Sequence, residues 1–320
     1  MSSQHVLPNY RIAVVGSGAV GGYYGGRLAN AGREVHFLMR SDLDHVRRRG
    51  LRVLSKQGDF HLQGVKAHGT TEEIGPCDLV IIALKATSNE ALADLIPPLL
   101  KDDTMLLTLQ NGLGNEEHLA EHFGAERVLG GLCFVCLNRT EPGLIKHIGA
   151  GTISIGEFTG LPLPRTHEIA SEFKRSGVVC NVKPDLARER WKKLVWNVPF
   201  NGLAITAGGI DVAQILADPD LEFLTRQLMR EVISSARQLG HELPSSLVED
   251  QIAATRPMGP YKPSSLIDFL DGRDVEVEAI WGEAYRRAAN AGAEVGRLEF
   301  LYHEIKRALR TRGAPSPTST

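Results

Sequence analysis

Residues 11–40, RIAVVGSGAVGGYYGGRLANAGREVHFLMR, restrict the fold more than any other part of the chain. Residues 12–15 are a short apolar run, and Gly16, Gly18 and Gly21 complete G-x-G-x-x-G where that run ends. A helical segment follows and stops at Gly32, placed as a glycine just past a helix end, and a second apolar run at 35–38 comes straight after it. Strand, glycine turn, helix and strand in this order open a doubly wound sheet that binds a dinucleotide. The first glycine permits the tight turn, the second lets backbone approach a pyrophosphate, and the third lets helix and strand pack closely. The phosphates would meet unsatisfied N–H groups at the positive end of the helix. The second strand of such units usually ends in an acidic residue for the ribose 2′-hydroxyl, but here it reads Phe37-Leu38-Met39-Arg40. Arginine there suits a 2′-phosphate and favours NADP, although Asp42 is close enough in sequence to meet a ribose instead.

Alternation of strand and helix continues beyond Arg40, the pattern of a parallel sheet covered on both faces. A short polar helix is expected at 42–49, closed by Gly50, then strands at 51–54 and 60–65 around Gly58-Asp59. The continuous apolar runs at 79–84 and 105–109 read as strands buried on both sides, with a helix at 87–100 between them. Lys85 and Asn111 fall just past the carboxyl ends of those strands, on the edge where such sheets place ligands. Further strands occupy 128–158 with a turn at Glu141-Pro142-Gly143, a helix runs to about Ser176, and 178–182 completes the sheet. From Asp185 the pattern is helical, with stops at Gly240, 257–260, Gly292 and Gly296, and Asp218-Pro219 opening a long helix. The reading is therefore α/β: an N-terminal Rossmann-type doubly wound sheet over 1–183, an all-helical C-terminal domain over 184–313, and a disordered tail at 314–320.

A net charge of −2 gives no field for attracting nucleic acid, and no stretch approaches the ~20 apolar residues that span a bilayer. The first ten residues lack the apolar centre of a secretion signal, so a cytoplasmic protein is expected. Four cysteines are too few for a disulfide framework, and Cys133-Phe134-Val135-Cys136, a C-x-x-C with no second pair and no ligand histidine nearby, reads as buried small hydrophobes. No metal is expected. Apolar helix faces in the second half permit a homodimer as readily as internal packing.

Residues 191–201, WKKLVWNVPFN, are apolar for a helix except at Lys193, Asn197 and Asn201, which share one stripe at spacing four. With Trp191, Leu194, Val195, Val198 and Phe200 covering the other faces, the stripe is expected to line a cavity. An ammonium in partly apolar surroundings loses basicity and becomes a better proton donor near neutral pH, which makes Lys193 the candidate acid. Pro199 removes a backbone donor and loosens the phase of Asn201. Ser264 and Glu276 lie in later apolar helical context, where a glutamate at a helix start is also a common dipole partner.

These segments together resemble the ketopantoate reductase (2-dehydropantoate 2-reductase) family over nearly the whole chain. The resemblance is carried by GSGAVG at 16–21, Arg40, Lys85, QNG at 110–112, PGLIKHIGAG at 142–151, WKKLVWN…N at 191–201, KPSSLID at 262–268 and EVEAIWG at 276–282. It implies NADPH-dependent reduction of 2-dehydropantoate to pantoate, on the route to pantothenate and coenzyme A. It also implies that Gly16, Ser17, Gly18, Ala19, Val20, Gly21, Arg40, Lys85 and Asn111 hold the cofactor. Lys193 is implied as the catalytic lysine, since the family's lysine directly precedes a leucine, which excludes Lys192. Asn111, Asn197, Asn201 and Ser264 are implied as substrate contacts, and Glu276 as a catalytic group near cofactor and substrate. Two positions depart from the family: Asp211 lies where a further substrate-contacting asparagine falls, and Trp281 replaces an asparagine. Both leave room for a related NADPH-dependent reductase of another 2-keto acid. A non-catalytic NADPH-binding sensor is the remaining alternative, against which Lys193, Asn197 and Glu276 argue.

Overall fold

The computed structural model describes residues 10–312; the tail expected at 314–320 lies outside the described residues, as do residues 1–9, which bear on the expected absence of a secretion signal. The chain divides into two compact units. One runs through Asn111 and resumes from Asn115 to Leu186, and the other takes Gly112–Gly114 and the chain from Ala187 onward.

The first unit is built on ten strands: β1 (Arg11–Val15), β2 (Glu34–Leu38), β3 (Leu51–Ser55), β4 (Phe60–Leu62), β5 (Lys66–His68), β6 (Leu79–Ile82), β7 (Met105–Thr108), β8 (Val128–Glu141), β9 (Leu144–Glu157) and β10 (Cys180–Val182). Their order is β4-β3-β9-β8-β7-β6-β1-β2-β5, with β10 also paired to β9. From β5 through β2, β1, β6 and β7 to β8 every pairing is parallel, which is the doubly wound order with its reversal between β1 and β6. Past β8 the sheet becomes mixed: β9 returns antiparallel, and β3 and β10 run parallel to β9.

Alternate residues of the central strands feed two apolar layers. Ile12, Val14, Leu79, Ile81, Met105 and Leu107 belong to one, and Ala13, Val15, Val80, Ile82 and Leu106 to the other. That is why β6 and β7 read as unbroken apolar runs. The first layer is covered by α1 (Ala19–Asn30) and α5 (Pro164–Arg175). Helix α1 carries four glycines that would each cost about 1 kcal/mol relative to alanine in an exposed helix. Here they allow contact: a Cβ on Gly25 would come within 2.7 Å of Phe37 and Val14, and one on Gly22 within 2.4 Å of Ile145.

Shorter elements differ from the sequence reading. The helix expected at 87–100 is instead a 3₁₀ turn (Ala86–Ala91), a single turn α3 (Leu92–Leu95) and a second 3₁₀ turn (Pro97–Leu99). Ser88, at φ −112°, already leaves helical geometry, and Pro97-Pro98 prevents its recovery. The strand expected at 60–65 stops at Leu62, and β5 forms where the sequence carries no strand pattern. The remaining helices here are α2 (Leu43–Arg49), closed by Gly50 at φ +77°, and α4 (Asn115–Phe123).

Cys133 and Cys136 are half-buried on β8 rather than buried, and all four cysteines are free. Three residues apart on a strand, the pair points to opposite faces, and only Cys133 packs on the layer beneath α1. Cys180 is fully buried, which pushes its thiol up to about 12. Three histidines are held below their usual range, in each case chiefly by burial: His36, His68 and His147. His147 faces the carbonyls of Gly149 and Ala150 through Nε2 (3.1 and 3.0 Å), so that nitrogen donates. Nδ1 therefore accepts from Ser55 Oγ at 2.8 Å. His36 Nδ1 and His68 Nε2 lie 2.9 Å apart across β2 and β5, a bond that requires one of the two nitrogens to be unprotonated.

The second unit is helical: α6 (Leu186–Thr206, its first residue in the other unit), α7 (Val212–Ala217), α8 (Pro219–Gln238), α9 (Leu247–Thr255), α10 (Ser264–Leu270), α11 (Glu283–Asn290) and α12 (Gly296–Thr311). Its core gathers Trp191, Val195, Val198 and Phe200 of α6 with Leu228 and Val232 of α8 and Leu298 and Ile305 of α12. Asp218 caps α8 by accepting from the amides of Asp220 and Leu221 at 2.9 and 3.0 Å. No helix among the described residues is long and apolar enough to cross a membrane.

Candidate active site

In the sheet unit the ends of four parallel strands are level: Val15 pairs with Leu38 and with Ile82, and Ile82 pairs with Thr108. The loops leaving this edge carry Gly16–Gly21, Arg40, Lys85 and Asn111. The order of the strands reverses between β1 and β6, at the crevice where doubly wound sheets bind ligands.

Each glycine of the first loop has its own surroundings. Gly16 sits at φ +97°, and a Cβ there would lie 2.4 Å from the Leu84 amide nitrogen and 2.6 Å from the Ala83 carbonyl carbon. A Cβ on Gly21 would lie 2.2 Å from Gly16 O, so only glycine lets α1 come this near the turn. At Gly18, where α1 starts, a Cβ would meet nothing within 4 Å, and half-buried Ala19 and Val20 follow it. Close packing on two sides and an open approach at the helix start fit a dinucleotide's pyrophosphate. Ser17 Oγ donates to Leu38 O at 2.9 Å and ties this turn to the end of β2.

Two residues past β2, Arg40 is exposed. Asp42, the rival ribose contact, is buried and committed: it accepts from Arg139 Nη1 at 2.6 Å, the Gly143 amide at 3.0 Å and Ser41 Oγ at 2.9 Å. Its carboxylate pins α2 to the turn between β8 and β9. Lys85 is half-buried, in extended conformation ahead of the 3₁₀ turn. Asn111 is half-buried, and its carbonyl accepts from Asn115 Nδ2 at 2.9 Å.

In the helical unit α6 continues through Pro199, so Lys193, Asn197 and Asn201 keep their spacing of four. Lys193 is half-buried, and both asparagines are buried. Asn201 uses both ends of its amide, donating to Asn197 O at 3.1 Å and accepting from the Ser265 amide at 3.0 Å. That grip fixes α6 to the start of α10, where Ser264 is exposed. Glu276 is buried in the irregular segment just ahead of a π-helical turn (Glu278–Gly282), two residues before that turn rather than at its start. The turn is tied to α6 by Trp281, whose indole N–H donates to Val198 O at 3.0 Å. Gly112 and Leu113, the residues after Asn111, dock on the same turn: Leu113 N donates to Ala279 O at 2.8 Å, and a Cβ on Gly112 would lie 2.3 Å from that oxygen. Lys193, Asn197, Asn201 and Ser264 thus sit on helices joined by the bond of Asn201 to Ser265, and Glu276 directly precedes the turn that Trp281 ties to α6.

The π-helical turn had no sequence signal, and neither did Asn89 and Asn115, whose amides brace the loops after β6 and β7. Among the described residues no group of three or more His, Cys, Asp or Glu side chains is placed to hold a metal.

Residues 12–160 match the family described as "Ketopantoate reductase PanE/ApbA", and residues 185–308 match its C-terminal counterpart. A 2-dehydropantoate 2-reductase from Nostoc sp. is 40% identical over 302 residues, covering 92% of this chain and 94% of the relative. The crystal structure of a 2-dehydropantoate 2-reductase from Geobacter metallireducens superposes with a TM-score of 0.91 at 45% identity, covering 93% of this chain and 99% of that one. A second, from Methylococcus capsulatus, gives 0.86 at 32% identity, covering 94% and 97%.

Proposed function

This chain belongs to the ketopantoate reductase PanE/ApbA family, and on that premise we propose that it reduces 2-dehydropantoate to pantoate with NADPH. One observation carries the reading: both halves match the family, and it is supported by Lys193 and Asn197 on α6 and by Glu276 just ahead of the turn that is bonded to α6. A fold that only bound cofactor would need no proton donor there.

Gly16, Ser17, Gly18, Ala19, Val20 and Gly21 hold the pyrophosphate, with Lys85 and Asn111 on the loops beside them. Arg40 takes the 2′-phosphate, a choice supported by the commitment of Asp42 elsewhere. When bound, the cofactor supplies the hydride that reduces the ketone. Lys193 protonates the developing alkoxide oxygen, and its charge stabilises that oxygen before the proton moves. Asn111, Asn197 and Ser264 bind the substrate's carboxylate and hydroxyl, and Glu276 orients the lysine. Asn201 fixes the start of α10 and offers its second amide hydrogen to the substrate.

The test is NADPH oxidation with 2-dehydropantoate against a panel of branched and aromatic 2-keto acids. Turnover that prefers 2-dehydropantoate supports the proposal; turnover restricted to another keto acid, or tight NADPH binding with no turnover, refutes it. Replacing Lys193 by Ala should lower kcat by ~10²–10⁴-fold while NADPH still binds. Wild-type kcat in that variant would remove the proposed acid.

A further inference from the structure

The loops that carry Lys85 and Asn111 leave the sheet, and so lose the ladder that holds the strands. A chain of side-chain amides takes its place. Thr108 Oγ1 donates to Gln110 Oε1 at 2.9 Å, Gln110 Nε2 to Asn89 Oδ1 at 2.7 Å, and Asn89 Nδ2 to Asn115 Oδ1 at 3.0 Å. Asn115 Nδ2 completes it by donating to Asn111 O at 2.9 Å. Every amide accepts at its oxygen and donates at its nitrogen, all in one direction, so each bond polarises the next. Asn89 stands at the centre and lies in the 3₁₀ turn directly after Lys85, with its own carbonyl held by His118 Nε2 at 3.0 Å.

We infer that Asn89 is a positioning residue for the reaction: through Gln110 and Asn115 it locks the loop after β7, and with it Asn111, to the turn that follows Lys85. The inference rests on the functional reading above for the roles of Lys85 and Asn111, but not for the relay. In Asn89→Asp the carboxylate still accepts from Gln110 but turns an acceptor toward Asn115 Oδ1. Rotating the Asn115 amide repairs that contact only by setting its oxygen against Asn111 O. The near-isosteric Asp is therefore no better tolerated than Ala.

Asn89→Asp and Asn89→Ala should each lower kcat about tenfold, as a misplaced contact does, with the KM for NADPH moving less than about threefold. Hydrogen exchange of the free proteins should quicken at residues 85–91 and 109–111 and stay unchanged across the helices of the other unit. Adding Asn111→Ala to Asn89→Ala should cost no more than Asn111→Ala alone. Wild-type exchange at those loops in both variants, or losses that multiply in the double variant, would overturn the inference. If the wild-type protein does not reduce 2-dehydropantoate the functional reading fails by itself, and the exchange measurement still decides the relay.

Discussion

Arg40 and Asp42 are two positions apart, and their neighbours separate them completely. The aspartate accepts three hydrogen bonds that hold α2 to the β8–β9 turn, while the arginine is exposed at the strand end. A charge-assisted contact to a 2′-phosphate contributes about 1.5–3 kcal/mol, so Arg40→Ala should lower kcat/KM for NADPH about 10–100-fold and leave NADH kinetics nearly unchanged. Equal losses with both cofactors would show that Arg40 does not read the phosphate. Local bonding also occupies the side chains at the two departures from the family pattern. Asp211 caps α7 in a reciprocal pair with Gln214, and Trp281 is buried with its N–H spent on Val198 O. Trp281→Phe should therefore destabilise the fold by about 0.5–1.5 kcal/mol in denaturant unfolding and leave the order of preference among keto acids as it was. A changed order would return Trp281 to the substrate site.

At the scale of elements, the glycine loop and α1 make opposite demands that stability and binding can separate. A methyl group on Gly21 meets the backbone oxygen of Gly16, which cannot rotate away, whereas one on Gly18 meets nothing. Gly21→Ala should cost about 1–3 kcal/mol of stability, as overpacking does. Gly18→Ala should melt like wild type but lose NADPH affinity in fluorescence titration, because its methyl would occupy the approach proposed for the pyrophosphate. This loop, the buried strands β6 and β7, and the start of α8 at Asp218-Pro219 were legible in the sequence, because turn chemistry and apolar period act over a few neighbouring residues. Elements fixed by distant partners were not. Three-residue β5 exists by pairing with β2, and the π-helical turn is held by Val198 and Leu113, far away in the chain. The stripe of Lys193, Asn197 and Asn201 could be read from spacing, but the grip of Asn201 on Ser265 spans 64 residues and left no local trace.

At the scale of the molecule, charge chemistry divides unevenly between the two units. The histidines held low by burial, His36, His68 and His147, all belong to the sheet unit, beside Arg11, Lys66 and Glu34 for the first, Arg47 and Glu73 for the second, and Arg27 and Lys56 for the third. A histidine kept neutral by folding binds its proton more readily in the unfolded chain. Its contribution is complete above the unfolded pKa of about 6.5 and is lost as pH falls through that value toward the lower folded one. The shifted acids of the helical unit behave differently. Glu222 is lowered by Arg226, and Glu278 and Glu283 are lowered, against the upward push of burial, by Arg286 and their other partners. Their contribution persists above the unfolded value of about 4.5 and is lost only below it. Between pH 6.5 and 5 acid should therefore weaken the sheet unit alone. The three tryptophans, Trp191, Trp196 and Trp281, all lie in the helical unit and report on it separately. Melts at pH 7.5 and 5.5 should show the circular-dichroism transition of the sheet moving down while the tryptophan emission transition holds its place, and His147→Gln, which cannot titrate, should shrink the difference. Emission and circular dichroism shifting together by the same amount would mean that the acid response is not confined to the buried histidines of the sheet.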